Sequence, residues 1–164
     1  MPASAVQALL AIGCGLLLRQ VVGLEPIAWL AWVAPGLLLA LTLRVDAIRA
    51  RRLTTLAAVV ATSANVGFYV RVMPPAVAAM VVLAQALLWL AIVGQARRLM
   101  LRDGRPWTVL VYPLLWTAAD TLMARLLPDG NWASLAYTQA EVLPVLQIAS
   151  VLGTAGVVFL VSLV

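Results

Sequence analysis

The sequence predicts an all-α protein: a polytopic transmembrane helix bundle of about six spans with no soluble domain. Three observations carry this. The chain is 65% hydrophobic and 10% charged, whereas a soluble domain is about 45–50% apolar and about 25% charged, so too little polar surface exists here to cover a core. Its apolar runs are broken at intervals by Arg clusters, Pro and Gly, which is how helix ends are marked. The length also closes. A crossing helix needs about 20 residues, so six would use about 120 of the 164 and leave roughly 44 for turns and termini. Disorder, disulfide scaffolds and coiled coils are excluded by the same composition.

The spans are expected at about 5–22, 27–43, 53–70, 75–95, 107–127 and 142–164. The first is charge-free only over 5–18, before Arg19. A signal peptide would carry a basic leader and a small-residue cleavage site, and the opening Met1-Pro2-Ala3-Ser4 has no base. A retained helix is therefore expected, turned back into the second span by Gly23-Leu24-Glu25-Pro26. The third and fourth spans follow a run containing Arg44, Arg49, Arg51 and Arg52. The fifth follows Arg97, Arg98, Arg102 and Arg105. Eight of the eleven arginines thus fall in two same-side connections, and an excess of bases marks the cytoplasmic side. With six spans both termini are cytoplasmic. The longest outer connection, 128–141, precedes the sixth span and holds acid but no base.

All eleven bases are Arg, with no Lys, no His and one cysteine, Cys14. A net charge of +5 could suggest nucleic acid, but the arginines lie in short segments between apolar spans and read as topology determinants, so no nucleic-acid partner is expected. A lone cysteine excludes an internal disulfide, and without His no zinc-type site can be built. No metal and no cofactor are expected. Small residues four apart, Ala11 with Gly15 and Ala149 with Gly153, suit close helix packing.

Three places depart from plain apolar helix. In the fifth span, Trp116 and Asp120 are four apart and share a face. An Asp at a helix centre costs about 2.5–3.5 kcal/mol and each Leu or Val returns about 0.3–0.6, so the eight Leu and Val of this span roughly cancel it. Asp120 lies about 10 Å from the outer mouth at 1.5 Å per residue. Arg125, about 140° round the helix, is poorly placed to pair with it and is expected to snorkel outward. Asp120 is then either a polar group facing a bundle cavity or a structural hydrogen-bonding group. Asn65 and Tyr69 in the third span, and Gln85 and Trp89 in the fourth, read first as interhelical hydrogen-bonding groups and second as groups lining the same cavity. The outer segment Asp129-Gly130-Asn131-Trp132-Ala133-Ser134-Leu135-Ala136-Tyr137-Thr138-Gln139 mixes aromatic, hydroxyl and amide groups at the membrane surface. It reads as an interfacial contact for lipid, or as an aromatic belt capping the bundle.

The run from Asn131 to Gln139, the pair Leu146-Gln147 and the stretch Gly153-Thr154-Ala155-Gly156-Val157-Val158-Phe159-Leu160 resemble the membrane region of apolipoprotein N-acyltransferases and their nitrilase-related relatives. In that family a Trp precedes a Gly/Ala-Tyr-Ser/Thr-Gln segment, and a helix with Leu-Gln and Gly-x-x-Gly-x-x-Phe follows. Trp116-Thr117-Ala118-Ala119-Asp120 is similar to the family's Trp-x-x-x-Glu. Leu30-Ala31-Trp32-Val33-Ala34-Pro35 and Asn65-x-Gly67-x-Tyr69 are weaker echoes. Asn131 stands where many members have Pro, Ala136 where many have Gly, and Asp120 for Glu.

The resemblance implies a bacterial inner-membrane module, N-terminus cytoplasmic, that works on membrane phospholipid and lipoprotein alongside a nitrilase-like domain. Trp132, Tyr137, Gln139, Asp120 and Trp116 would then line or support a lipid entrance. The family transfers an acyl chain from phospholipid to the diacylglyceryl-cysteine of lipoproteins through a Glu-Lys-Cys triad in a periplasmic domain. No residue here is assigned to that triad. There is no Lys, and Cys14 is mid-span, where apolar surroundings make a thiol inert. The chain reads as the N-terminal membrane half of such an enzyme, as a truncated product or as a relic, inactive alone. The competing readings are a non-enzymatic membrane protein for lipid binding or scaffolding and, below it, a transporter.

Overall fold

A computed structural model describes residues 3–127, 131 and 133–163; Trp132 lies outside the described residues. The described residues form helices and turns, with no strand among them. Helix α1, Ala3–Val22, packs most extensively on α3, Ala47–Thr62. Gly15 is what lets the two backbones approach: a Cβ there would lie 2.8 Å from both the Ala57 carbonyl oxygen and the Val60 Cβ. The Ala11/Gly15 pair thus does serve close packing.

The stretch expected as a second span is shorter and less regular than a plain helix. A 3-10 turn, Ala28–Trp32, leads into α2, Ala34–Leu43. Pro35 sits in the first turn of α2, where its missing N–H does no harm, but the preceding residues cannot continue an α-helix through it.

Helix α3 starts at Ala47, six residues before the expected apolar edge. The Asp46 carboxylate caps it by accepting the Arg49 backbone N–H at 2.9 Å. A 3-10 turn at Ser63–Asn65 joins it to α4, Val66–Val72, and the whole segment Ala47–Val72 is long and apolar enough to cross a membrane. Helix α5, Pro75–Asp103, likewise runs eight residues past the expected edge at 95 and ends where Gly104 turns left-handed. A 3-10 turn, Pro106–Leu110, leads into α6, Val111–Leu126. A further 3-10 turn, Leu135–Gln139, precedes α7, Leu143–Val161.

Helix α7 is kinked at Gly153, whose φ of 66° and ψ of −173° belong to a region open essentially to glycine alone. The Ala149/Gly153 pair is therefore not a packing seam. A Cβ at Gly153 would meet nothing within 4 Å, and the glycine is there for its backbone angles.

Among the described residues, four segments are long and apolar enough to span: Ser4–Val22, Ala47–Val72, Pro75–Asp103 and Leu143–Val161. Ala28–Leu43 is a shorter apolar helix. The core between them is built from Leu18, Val21, Leu38, Ala57, Val93 and Val158. Large apolar side chains also cover the outside: Val151 is 81% exposed and Met80 70%. A bundle apolar inside and out is a helical membrane protein.

The bundle has two chemically different ends. At one, the Arg97 guanidinium on α5 donates to the carbonyls of Thr42 (2.9 Å) and Val45 (2.5 Å), joining the end of α5 to the α2–α3 turn. Arg49 reaches Gln7 on the first turns of α1 at 3.3 Å. At the other end, the Asn65 amide donates to the carbonyl of Val22, the last residue of α1, at 2.7 Å. Gln7 and Val22 are about 22 Å apart along α1 at 1.5 Å per residue. The eight arginines of the two clusters collect at the first end, with Asp46 and Asp103 as the acids beside them. Exposed tryptophans stand near both ends, Trp107 by the arginines and Trp29 at the opposite end, the placement typical of membrane–water interfaces.

Candidate functional site

The end opposite the arginines is built around the segment 131–139, which is fastened to the bundle at both of its ends. At its start, the Asn131 side-chain amide donates to the Asp120 carboxylate at 2.6 Å, and both residues are buried. At its finish, Gln139 is 1% exposed and uses both ends of its amide. Its Oε1 accepts the Trp32 indole N–H at 3.1 Å, and its Nε2 donates to the Ala28 carbonyl at 2.9 Å and to the Thr138 hydroxyl at 2.9 Å. The 3-10 turn between them is capped by Ser134, whose hydroxyl accepts the Ala136 backbone N–H. Thr138 closes the turn by donating to the Leu135 carbonyl at 2.7 Å.

These fastenings present Tyr137 outward. It is 53% exposed while its neighbours Ala136, Thr138 and Gln139 are buried. It lines a cleft of about 180 Å³ between the end of α1 and residues 133–138, together with Val22, Leu24, Pro26 and Asn65. The lining mixes apolar side chains with the buried Asn65, Ser134 and Thr138 and the exposed Tyr137. It can receive an alkyl segment with a polar end.

Among the expected site residues, Tyr137 faces this cleft and Gln139 holds the segment that presents it. Asp120 anchors the segment from α6. Trp116 is 6% exposed and sits in an aromatic cluster: its ring is 4.5 Å from that of Trp89 and 6.4 Å from that of Tyr112, both edge-to-face. It braces α6 against α5. Trp132 is outside the described residues. Arg125 is exposed and, among the described residues, makes no ion pair with Asp120. Gln85 donates to the Tyr69 hydroxyl at 3.1 Å, an interhelical tie between α5 and α4. Cys14, half-buried in α1, has no part in the cleft lining.

Two partners were not singled out from sequence: Trp32 as the donor to Gln139, and Asn131 as the donor to Asp120. Trp32 lies 107 residues from Gln139, a separation across which no local pattern operates.

A family model for the apolipoprotein N-acyltransferase N-terminal domain matches residues 14–164. The chain belongs to the apolipoprotein N-acyltransferase family. It is 33% identical over 150 residues to an apolipoprotein N-acyltransferase of Geobacter metallireducens, an alignment covering 86% of this chain and 28% of that protein. The chain thus spans little more than a quarter of its relative's length. The matched region takes in the last nine residues of α1, every later helix and the 131–139 segment.

Proposed function

We propose that these 164 residues form the membrane module of a lipoprotein N-acyltransferase. In this reading the bundle crosses the bacterial inner membrane six times, with the arginine end and the N-terminus in the cytoplasm and the 131–139 segment facing the periplasm. It admits phospholipid and diacylglyceryl-modified lipoprotein laterally and hands them to a nitrilase-like domain of the parent enzyme. There an acyl chain passes from the phospholipid to the amino group of the N-terminal cysteine. Tyr137 and Trp132 shape the entrance; Gln139, Asp120 and Trp116 hold it in place.

The observation that supports this reading best is the doubly fastened outer segment with Tyr137 standing over the cleft. A loop that merely connected two helices would not need buried amides at both ends, since each buried amide must find partners for its hydrogen-bonding groups. The chemistry is assigned elsewhere because these residues hold no Lys and one cysteine, in mid-helix. Nucleophilic acyl transfer needs a base within reach of the nucleophile and donors at the oxyanion.

The test is transfer of a labelled acyl chain from phospholipid to a diacylglyceryl-cysteine peptide. The purified chain alone is expected to give none. A chimera in which residues 14–164 replace the matching part of the Geobacter metallireducens enzyme is expected to transfer. A chimera that folds in the membrane yet is inert, or turnover by the chain alone that survives Cys14→Ser, would overturn the assignment.

A further inference from the structure

At the arginine end, α3 and α5 do not close on one another. Between them lies an open cleft of about 860 Å³, within the range of about 300–1,000 Å³ usual for small-molecule sites. Its lining includes the small residues Ala50, Ala91 and Gly94, with Arg51 from α3 and Arg98 and Arg102 from α5. These three guanidinium groups have no carboxylate within ion-pair distance among the described residues, where the two ion pairs are Arg49–Asp46 and Arg105–Asp103. Arg97, one position from Arg98, is committed to the Thr42 and Val45 carbonyls and so fixes this end of α5 against the α2–α3 turn. The cleft is therefore a held cationic recess, open to the outside.

From this we infer that the α3–α5 cleft binds the head group of an anionic phospholipid in the leaflet at the arginine end. The phosphate sits among Arg51, Arg98 and Arg102, and an acyl chain lies along α5. The chain is assigned to α5 because Met80, Leu87 and Ala91 lie on the same face as Arg98 at helical spacing, and all three are exposed. An exposed apolar stripe that runs into an unpaired arginine pair matches an amphiphile better than a water-soluble anion. Basic recesses between membrane helices on the cytoplasmic side recognise such head groups. The site is at the opposite end of the bundle from the Tyr137 cleft and shares no lining residue with it. The inference rests on the membrane reading but not on acyl transfer, and its read-out is lipid binding.

The experiment is electron paramagnetic resonance of the full chain in phosphatidylcholine bilayers doped with spin-labelled phosphatidylglycerol or spin-labelled phosphatidylcholine. The wild-type chain is expected to immobilise the anionic probe in preference to the zwitterionic one. Arg98→Gln and Arg102→Gln should each weaken that preference about fivefold. Gly94→Leu, at a position where an added Cβ meets nothing within 4 Å, should project into the cleft between Arg51 and Arg98 and lower the preference with every arginine still present. Arg44→Gln with Arg52→Gln removes the same charge outside the cleft lining and should leave the preference intact. Circular dichroism of each variant checks that the bundle is retained. The assignment fails if the preference is undiminished in both Gly94→Leu and Arg98→Gln with Arg102→Gln, or if it falls equally in the Arg44→Gln/Arg52→Gln control. Release of the labelled lipid by excess inorganic phosphate would reassign the recess to a free anion and overturn the lipid reading.

Discussion

Asp120 is an acid within an apolar helix, and what makes it tolerable is hydrogen bonding from the outer segment, by Ser134 and Asn131. A buried polar group left without a partner costs about 1–3 kcal/mol, and here the 2.6 Å bond supplies one from eleven residues away. Asn131→Ala is therefore expected to lower stability in detergent by about 1–3 kcal/mol. Asp120→Asn, which keeps an acceptor for the same amide, should cost much less. Equal losses from the two would mean the pair is not what fastens the segment. The sequence left Asp120 open between a cavity-lining group and a structural one. It could not do otherwise, because the partner lies across a connection whose path no local periodicity describes. Gln139 is a similar case. Its composition suggested a surface group, and its burial depends on Trp32 and the Ala28 carbonyl, which come from the second apolar stretch.

At the scale of elements, the apolar edge of a run and the end of a helix turn out to be different things. From residue 75 to residue 95 α5 covers about 30 Å, the thickness of the hydrocarbon core, and this is the span that hydropathy marks. The helix itself continues to Asp103, because Arg is a good helix former and only Gly104 provides a stop. The same holds for α3, whose start is set by the Asp46 cap six residues before the apolar edge. The backbone N–H of Arg49 holds the Asp46 carboxyl below the ordinary carboxylate value of 3.8, helped by the Arg49 charge. A depressed carboxyl stabilises above its unfolded value and loses that contribution as pH falls through its folded one. Protection of the first-turn amides of α3, taken relative to their intrinsic exchange rates, should thus fall below about pH 4, and Asp46→Asn, which still caps, should abolish that loss of protection. Protection that stays constant through this pH range would mean that Asp46 does not cap α3. Gly153 was legible as a family motif but not as a kink, since φ is invisible in a residue name. Gly153→Ala is expected to cost about 1–3 kcal/mol through backbone strain. A variant with an unchanged denaturation midpoint would mean that α7 is straight.

For the molecule as a whole, composition decided the fold class because a surface this apolar can face only lipid. The arginine pattern carried the polarity, and the structure gathers the two clusters physically through Arg97. The proposed orientation, with the arginine end in the cytoplasm by the excess of bases, is open to a direct check. Reporter fusions after Arg52 and Arg102 should report cytoplasm and one after Asn131 periplasm, and a periplasmic signal at Arg102 would reject the orientation.

The central claim is that the outer end of the bundle guides substrate rather than merely closing the fold, and Tyr137 and Gln139 separate the two. Gln139 is buried and tethered, whereas Tyr137 is half exposed over the cleft. The decisive measurement is acyl transfer and melting temperature, side by side, for Tyr137→Ala and Gln139→Ala in the chimera that carries this module. Gln139→Ala should lower both together. Tyr137→Ala should cut transfer at low substrate while leaving the melting temperature in detergent nearly unchanged. Transfer by Tyr137→Ala equal to that of the parent chimera would contradict the guiding role.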